Sequence, residues 1–304
     1  MNTRDILDLA NKQITNQETR TEASAMNFDR MFPFSNENID GYLDQFDLNG
    51  KSLLTVGSSC DQAINAICAG ATKVKILDLN YYTRYYYSLK KAAILKLYIN
   101  DYLKYFACMH EPDDWLGEDT FNEELFNFIK PMLGMIDPEA YFFWNELYKK
   151  YPGRLIYEKL FRMDTDPDLF KRTYNKYLHN ITEYENTKNR ILNVHVEFEC
   201  NNILNYFANE KFDNIWLSNL LDYVSDPDSK FIVANMIEHL NKNGKMLVCY
   251  MFQGHDDRYD YLTYHYNLEI IQVLLSRYGR LDDMVAKTNA LIYTNSGKKL
   301  YDYK

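Results

Sequence analysis

The feature that most constrains the fold is a strand–helix–strand pattern between residues 52 and 80. The run "SLLTVG" (52–57) is apolar and ends in glycine, which is typical of a buried strand. The stretch "CDQAINAICAGA" (60–71) has apolar residues at helical spacing and Gly70 as a stop signal. The run "KVKILDLN" (73–80) has the composition of a second strand. Together they predict a βαβ unit with parallel strands and a right-handed crossover.

The same α/β rhythm returns in the last third of the chain. We predict strands at 52–57, 73–78, 192–199, 212–218, 245–252 and 290–295, and helices at 81–99, 230–244 and around 267–278. Asn243-Gly244 is interpreted as the stop signal of the second of these helices. The predicted fold is α/β, a doubly wound, mostly parallel Rossmann-like sheet with an α-helical insertion.

The organisation predicted from these patterns has three parts. Residues 1–50 form an N-terminal helical segment or lid. Residues 51–100 and 191–304 form the Rossmann-like domain. Residues 101–190 contain only helical patterns separated by Pro, Gly and Asp, such as "FNEELFNFIKPML" and "AYFFWNELYKKY", and are predicted to be a helical insertion that serves as the substrate subdomain.

Composition excludes several classes of function. A net charge of −9 argues against a nucleic-acid backbone as the main partner. Five cysteines without a C-x-x-C pair predict neither a disulfide framework nor a zinc site. The N-terminus has no apolar signal-peptide core and no run approaches the length of a membrane span, so the expected location is the cytoplasm. The 27 tyrosines are interpreted mainly as packing residues.

In such a sheet, ligands bind beyond the carboxyl ends of the strands. The loop "LTVGSSCDQ" (54–62) follows the first strand, and Asp78 ends the second, 21 residues after Gly57. This spacing is close to that of the dinucleotide fingerprint, although Asp is also a common turn former at strand ends. The single glycine leaves little room for a pyrophosphate and favours a phosphate-free adenosyl ligand such as S-adenosylmethionine.

Three stretches carry a resemblance to a known family. They are "FPFSNENIDGYL", "LTVGSSCDQAINAICAGATKVKILDLNYYTRYYYSLKKAAI" and "FDNIWLSNLLDYV" with "LNKNGKMLVCYMF". These stretches resemble a class I methyltransferase-like family of S-adenosylmethionine-dependent proteins related to the 3-amino-3-carboxypropyl transferase of betaine-lipid synthesis. The resemblance covers roughly residues 30–100 and 190–255, and not the insertion.

By position, the resemblance implies a set of cofactor-binding residues. Gly57, Ser58, Ser59, Asp61 and Gln62 would line the methionine end, Asp78 the ribose, Leu79, Asn80, Cys200, Asn201 and Asn202 the adenine, and Ser218, Asn219 and Leu220 the floor. The chain departs from the family at Cys60, where glycine is common, and at Asn201-Asn202, where an acid is usual. Phe34 is a further candidate that stacks on the cofactor or, alternatively, fastens the N-terminal helix to the core.

Two further groups of residues are candidates for chemistry. Asp222 and Tyr223 follow the fourth strand, where an acid can act as a base on the acceptor; the alternative is a capping Asp and a packing Tyr. The cluster "QGHDDRYDYLTYHYN" (253–267) matches no common metal pattern and is predicted to be a solvated or substrate-facing loop, so no metal is expected.

Three functions follow from these patterns. The first is an S-adenosylmethionine-dependent transferase that moves a methyl or a 3-amino-3-carboxypropyl group to a small molecule or a lipid headgroup. The second is an NAD(P)-linked oxidoreductase on the same sheet. The third is a non-catalytic nucleotide-binding partner module, which the missing glycines and the Asn201-Asn202 pair favour.

Overall fold

The chain forms two compact units that interleave along the sequence. A computed structural model describes residues 1–16, 29–107, 119–162, 168–250, 269–275 and 288–294. Unit 1 comprises Met1–Asn36, Ser58–Asp61 and Leu79–Leu192, and unit 2 comprises Glu37–Gly57, Gln62–Asp78 and Asn193–Lys304. Most described helices belong to unit 1, whereas the sheet belongs to unit 2.

The described part of unit 2 contains a sheet of seven strands. They are β1 (Ser52–Val56), β2 (Lys73–Asp78), β3 (His195–Cys200), β4 (Phe212–Trp216), β5 (Leu240–Tyr250), β6 (Glu269–Leu275) and β7 (Thr288–Thr294). Their spatial order is β3-β2-β1-β4-β5-β7-β6. The first five strands pair in parallel, while β7 is antiparallel to both β5 and β6.

This strand order confirms the predicted fold class. The inner order 3-2-1-4-5 is that of a doubly wound sheet, in which the chain moves to one edge and then returns past the centre to the other. The best-known dinucleotide-binding version adds a sixth parallel strand after the fifth. Here antiparallel β7 takes that place and β6 forms the edge, so the sheet is mostly parallel, Rossmann-like and of the class I methyltransferase-like type.

The middle residues of the central strands are buried without a break because both faces of these strands are covered. Consecutive residues of β1, Leu53 and Leu54, are both buried, as are Ile76 and Leu77 of β2. Adjacent strand residues point to opposite faces, so a continuous buried run means two covered faces. This explains why burial in these strands is continuous and does not alternate from residue to residue.

Eleven α-helices are described. They are α1 (Thr3–Ile14), α2 (Asp40–Leu43), α3 (Asp61–Cys68), α4 (Thr83–Lys96), α5 (Ile99–Tyr105), α6 (Glu123–Ile136), α7 (Pro138–Lys150), α8 (Gly153–Leu160), α9 (Asp168–Tyr174), α10 (Ile181–Ile191) and α11 (Asp226–Glu238). In unit 1, side-chain caps fix several starts: Asp137 accepts from the Ala140 N–H before α7, and Asn180 accepts from the Glu183 N–H before α10. The helical pieces predicted between residues 101 and 190 are therefore confirmed.

The core of unit 1 is strongly aromatic. Phe126 stacks on Tyr148 with ring centroids 3.9 Å apart, and the Tyr148 and Tyr105 hydroxyls lie 2.7 Å apart. Trp144 Nε1 donates to the Tyr85 carbonyl at 2.8 Å. Buried aromatic rings with satisfied polar tips contribute apolar area without the cost of an unpaired group. The packing interpretation of the tyrosines is thus confirmed for these residues.

Two predictions for unit 2 were wrong, the end of one helix and the secondary structure of one short segment. The helix predicted to end at Asn243-Gly244 ends at Glu238, and Asn243 (φ 63°) instead lies where the pairing of β4 with β5 shifts register. Asn and Gly both tolerate left-handed backbone, so this pair marks a strand irregularity as readily as a helix stop. The helix predicted around 267–278 is strand β6, because antiparallel pairing with β7 decides the state of a short apolar run.

The two units group some segments differently from the predicted domains. Helix α4 groups with unit 1, whereas the sequence placed it with the sheet. Residues 37–50 group with unit 2, whereas the N-terminal helix α1 groups with unit 1. None of the described helices is long and apolar enough to cross a membrane.

Candidate functional site

Parallel pairing brings the ends of several strands of unit 2 to one edge, which we call the carboxyl edge. Asp78 of β2 lies beside Cys200 of β3, and Thr55 of β1 lies beside Trp216 of β4. The polar residues that follow these strands start from the edge where doubly wound sheets bind ligands. The predicted cofactor residues that belong to unit 2 are Gly57, Gln62, Asp78, Cys200, Asn201, Asn202, Ser218, Asn219 and Leu220.

Asp78 is held firmly at the carboxyl edge through its backbone. The Asn201 N–H donates to the Asp78 carbonyl at 3.0 Å, and the Gly57 N–H donates to the neighbouring Leu77 carbonyl at 3.1 Å. The end of β2 is therefore hydrogen-bonded to the segments that follow β1 and β3, while Asp78 itself is half-buried. An acid in this place is the group that accepts hydrogen bonds from ribose hydroxyls in doubly wound sheets.

The residues after β3 mainly stabilise their own turn. Asn202 Oδ1 accepts from the Leu204 N–H at 3.0 Å and so caps the short 3₁₀ turn Ile203–Asn205. Asn201 Nδ2 donates to Glu199 Oε1 at 3.2 Å, and Cys200 is exposed. These contacts explain two adjacent asparagines by local structure, and the predicted adenine contact stays a prediction.

The loop after β4 is strained. Ser218 adopts left-handed backbone with φ 56°, and its carbonyl accepts from the Cys249 N–H of β5 at 2.8 Å. Left-handed backbone costs a residue other than glycine about 1–2 kcal/mol. Asn219 and Leu220 follow, both half-buried, and the Leu220 N–H closes the turn on the Leu217 carbonyl. Strain of this kind clusters at functional sites.

Glu37 holds this loop in place. Glu37 is 1% exposed, and its Oε1 accepts from the Ser218 hydroxyl and, at 3.0 Å, from the Asn219 N–H. The Tyr42 hydroxyl donates to Oε2 at 3.4 Å, and the Gln62 side chain also donates to the carboxylate. Four parts of unit 2, the loop after β4, α2, α3 and β5, therefore converge on one carboxylate when the nearby Cys249 thiol is included.

Burial dominates the electrostatics of this cluster. It raises the pKa of Glu37, and the hydrogen bonds from Ser218, Asn219, Gln62 and Tyr42 offset only part of the effect. Burial, followed by the charges of Glu37 and Asp222, raises the pKa of the Cys249 thiol well above its usual range. A carboxyl group with a raised pKa at this edge of the sheet is a functional-site candidate.

Gln62 presents an unsatisfied acceptor in the same cluster. Its side chain is 1% exposed, and its Oε1 has no hydrogen-bond donor among the described residues. Since the amide nitrogen faces the Glu37 carboxylate, the amide orientation is fixed and the oxygen cannot take that place. An unsatisfied buried acceptor costs about 1–3 kcal/mol, which a ligand with N–H groups would recover.

The candidate catalytic residues lie in the short 3₁₀ turn Leu220–Tyr223. Asp222 is half-buried, and its N–H donates to the Asn219 carbonyl at 3.0 Å. Tyr223 is 37% exposed. The turn thus continues directly from the loop that Glu37 holds, and a role for either residue in the reaction stays a prediction.

In unit 1, the loop Ser58–Asp61 has the backbone of a glycine-rich turn without the glycines. Ser58 (φ 45°) and Cys60 (φ 66°) both adopt left-handed conformations. Glycine adopts this conformation at no steric cost, which is a physical reason for the glycine that the resemblance led us to expect at the position of Cys60. The departure therefore changes the residue and preserves the turn.

Asp61 and Ser59 of this loop are engaged in a buried network. Asp61 Oδ2 accepts from the Ser35 N–H at 2.6 Å and the Ser59 hydroxyl at 2.9 Å, while Oδ1 accepts from Lys90 Nζ at 2.7 Å and the Tyr177 hydroxyl at 2.8 Å. Both side chains of the Lys90–Asp61 pair are fully buried. A buried ion pair is tolerated when such bonds satisfy it, so these side chains hold the shape of the loop.

Phe34 belongs to the same network. Its ring is fully buried, lies edge-on to Tyr102 and has Lys90 Nζ 4.6 Å from its centroid. These contacts are with α4 and α5, so both stacking on a cofactor and fastening of the N-terminal helix stay predictions. Of the other predicted residues of unit 1, Asn80 accepts from the Tyr82 N–H at 2.8 Å just before α4, and Leu79 is half-buried.

Sequence reasoning missed Glu37, Lys90 and Tyr177. Lys90 carried a signal, because it lies four residues after Tyr86 and three before Ala93 on the apolar face of a predicted helix. Glu37 lies inside the stretch "FPFSNENI", but nothing in that stretch distinguishes a buried acid from an exposed one. The cluster 253–267 lies outside the described residues, and the residues that the structure describes contain no group of three metal-ligating side chains.

Comparisons with known proteins found similarity among solved structures. No protein-family model and no curated protein matches the chain. Similar solved structures include N-methyltransferase NodS from Bradyrhizobium japonicum WM9 with S-adenosyl-L-homocysteine (TM-score 0.40, 10% identity, 97% of this chain and 99% of that chain). Magnesium protoporphyrin IX methyltransferase from Synechocystis PCC 6803 with S-adenosylmethionine is another (TM-score 0.39, 7% identity, 94% of this chain and 90% of that chain). Haemonchus contortus phosphoethanolamine N-methyltransferase 1 is a third (TM-score 0.41, 8% identity, 98% of this chain and 50% of that chain).

Proposed function

We propose that the chain is an S-adenosylmethionine-dependent transferase. The observation that carries the proposal is the carboxyl edge of unit 2, where the half-buried Asp78 ends β2 and a strained polar loop follows β4. The strand order around it is that of a methyltransferase-like sheet. Ligands of doubly wound sheets bind at this edge, and a strained loop there is maintained at a cost to stability.

The residues present fit this cofactor. The methionine end of S-adenosylmethionine carries an ammonium group, and the buried Gln62 Oε1 is an acceptor that lacks a donor within the described structure. We assign Gln62 and Gly57 to the methionine end and Asp78 to the ribose hydroxyls. Cys200, Asn201 and Asn202 are assigned to the adenine, and Ser218, Asn219 and Leu220 to the floor.

The residues of unit 1 have a different part in the proposal. Ser59 and Asp61 are fully buried and bonded to each other, so we assign them to the shape of the turn after β1. Ser58 is half-buried and keeps the role of a polar group toward the methionine end. Phe34, Leu79 and Asn80 keep their predicted roles as residues beside the cofactor.

The chemistry needs little from the protein beyond alignment. When bound, S-adenosylmethionine supplies a sulfonium whose attached carbon is transferred to a nucleophile. Asp222 is assigned to hold or accept the proton of the acceptor nucleophile, and Tyr223 to orient the acceptor. Correct alignment alone provides several kcal/mol, about 7–11 kcal/mol in the most favourable intramolecular reactions.

The transferred group is a methyl or a 3-amino-3-carboxypropyl group. The resemblance of residues 30–100 and 190–255 to the betaine-lipid aminocarboxypropyl transferases supports the second possibility. We assign acceptor recognition to the helical insertion, with a small molecule or a lipid headgroup as the acceptor. Product analysis by mass spectrometry distinguishes the two reactions, because one leaves S-adenosyl-L-homocysteine and the other leaves methylthioadenosine.

Titration calorimetry with S-adenosyl-L-homocysteine tests the cofactor assignment. Asp78→Ala should weaken binding by about a hundredfold, because two hydrogen bonds to a charged group are lost. Asp213→Ala, at the opposite end of β4, is the matched control and should keep the affinity within about twofold, since it lies away from the carboxyl edge. Affinity of Asp78→Ala within a few-fold of the wild type would overturn the assignment.

Two further measurements on the wild-type protein test the alternative functions, the partner module and the oxidoreductase. A ligand that binds the folded state raises its melting temperature, so millimolar S-adenosyl-L-homocysteine should raise Tm if the proposal holds. No shift would favour the partner module. NADH fluorescence that changes on binding and is not displaced by S-adenosylmethionine would favour the oxidoreductase.

A further inference from the structure

Glu37 makes contacts that its place in the sequence does not explain. It lies fifteen residues before β1, in a segment where no role was predicted for it, yet its side chain is buried within unit 2. Two of its hydrogen bonds go to consecutive residues of the loop after β4, the Ser218 hydroxyl and the Asn219 N–H, and both reach the same oxygen. A single acceptor that binds two neighbouring residues constrains the backbone between them.

That backbone is the strained part of the loop. Ser218 has φ 56°, a conformation that the chain does not adopt without support. On its other side, the Ser218 carbonyl is fixed by the Cys249 N–H. The carboxylate of Glu37 and the edge of β5 therefore hold Ser218 from two directions.

Burying a carboxylate is costly, and cheaper ways to close a turn exist. Serine and asparagine side chains close turns by themselves, as Asn202 does after β3. In the loop after β4, Glu37 is positioned in turn by Tyr42 of α2 and Gln62 of α3. A turn supported in this way has one geometry, which is what a ligand-binding floor requires.

We propose that Glu37 is the positioning residue of the carboxyl edge: it fixes Ser218 and Asn219 in the conformation that binds the adenosyl ligand. The inference rests on the proposed function for the nature of the ligand. Glu37 acts through the loop and does not itself touch the ligand. Asp222 and Tyr223, which continue the same turn, are positioned by the same contact.

Hydrogen exchange on the ligand-free protein tests the positioning directly. In Glu37→Leu the Asn219 amide loses its acceptor and should exchange at least about tenfold faster. Asp213 offers a matched control at the amino end of β4, because it accepts the Ser52 N–H at 2.9 Å and the Ser52 hydroxyl at 2.9 Å. Asp213→Leu should accelerate exchange of Ser52 and leave Asn219 unchanged.

Calorimetry with S-adenosyl-L-homocysteine tests the consequence. We expect Glu37→Leu to weaken binding at least about tenfold, and Asp213→Leu to change it less than about twofold although both lose stability. Glu37→Gln should recover most of the affinity, because its remaining oxygen can accept from Ser218 and Asn219. The Tyr42 hydroxyl, which donates to Oε2 in the wild type, can accept from the new amide nitrogen, so the Gln62 oxygen stays available to the ligand.

The outcomes separate this inference from the proposed function. Faster Asn219 exchange in Glu37→Leu, with no binding by the wild type, would refute the adenosyl ligand and support the positioning role. Unchanged Asn219 exchange would overturn the inference whatever the wild type binds. Equal losses of affinity in Glu37→Gln and Glu37→Leu would also overturn it, because charge and not loop geometry would then set the affinity.

Discussion

The two ends of strand β4 in unit 2 are each tied down by a carboxylate, and the two carboxylates hold different kinds of structure. At the amino end, Asp213 accepts from the Ser52 N–H and hydroxyl of β1 and, at 3.0 Å, from Asn241 Nδ2 of β5. All three residues lie in strands of the sheet, at the point where the pairing of β4 with β5 shifts register. At the carboxyl end, Glu37 holds Ser218, which is in left-handed backbone. The first carboxylate reinforces the sheet, whereas the second maintains an irregular loop.

The pKa values of the two carboxylates also differ, because they are shifted in opposite directions. Burial acts to raise the pKa of Asp213, but the hydrogen bonds from Ser52 and Asn241 outweigh it and the pKa is lowered. At Glu37 burial prevails and the pKa is raised. At neutral pH the charge of Asp213 therefore stabilises the folded protein, whereas the charge of Glu37 destabilises it. Proteins commonly give up stability in this way where a site must keep a fixed geometry.

The largest effect that would sharpen this comparison is expected from Gly244→Ala at the amino end. A Cβ at Gly244 would lie 2.9 Å from the carbonyl oxygens of both Asn241 and Asp213. Since these are backbone atoms of two paired strands, relief requires the strands to move, and we expect a loss of about 3 kcal/mol in the free energy of unfolding. Urea denaturation measures it.

Affinity for S-adenosyl-L-homocysteine should nevertheless stay within about twofold in the folded fraction, because the change is at the end away from the ligand. Gly134→Ala in α6 is the matched control. Its Cβ would meet the nearest atom, in the Tyr141 ring, at 3.6 Å, which is an ordinary contact. Alanine favours a helix over glycine by about 1 kcal/mol, so this variant should gain stability. A gain in Gly244→Ala as well would contradict the close packing of the amino end.

The next largest effect is expected from valine at the two left-handed residues, one near each end. Ser218 has φ 56° and Asn243 has φ 63°. A β-branched side chain is a marked outlier in this conformation, so Ser218→Val and Asn243→Val should each lose about 2 kcal/mol. The difference lies in binding: Ser218→Val also removes the hydroxyl that Glu37 accepts, and only this variant should lose measurable affinity.

Thermal unfolding and calorimetry of the two valine variants check the prediction together. Ser218→Ala provides the intermediate case, because it removes the hydroxyl and leaves the backbone as it is. If Asn243→Val weakened ligand binding as much as Ser218→Val, the two ends would not be functionally distinct.

The comparison also shows which parts of the site the sequence could predict. The positions of Gly57 and Asp78 at the carboxyl edge were predictable because short runs rich in apolar residues mark β1 and β2, and Gly57 follows the first strand while Asp78 ends the second. Ser218 was predictable only through the family resemblance, since its left-handed backbone leaves no trace in the residue type. The fold followed from the βαβ unit and the returning α/β rhythm.

Glu37 was not predictable for a physical reason. Its partners lie 25, 181 and 182 positions away, at Gln62, Ser218 and Asn219, and nothing local distinguishes it from a solvated acid. Strand β6 was mistaken for a helix for a related reason. Its state is decided by pairing with β7, which is separated from it in the sequence. Local patterns report local structure, and both of these features depend on distant contacts.

The smallest effect, and the most direct test of the electrostatic difference, is the pH dependence of Glu37→Gln and Asp213→Asn. The folded pKa of Glu37 is raised, so its contribution is fully present below the unfolded value of about 4.3 and is lost as pH rises through the folded pKa. The folded pKa of Asp213 is lowered, so its contribution is present above about 3.9 and is lost as pH falls through the folded pKa.

Relative to its neutral variant, the wild type should therefore lose stability with rising pH at Glu37 and gain it at Asp213. Melting temperatures between about pH 3 and pH 8 should show two opposite slopes. Slopes of the same sign would contradict the opposite pKa shifts of Glu37 and Asp213. Opposite slopes, with ligand affinity lost only at the carboxyl end, would show that the charge that costs stability is the one that holds the binding loop.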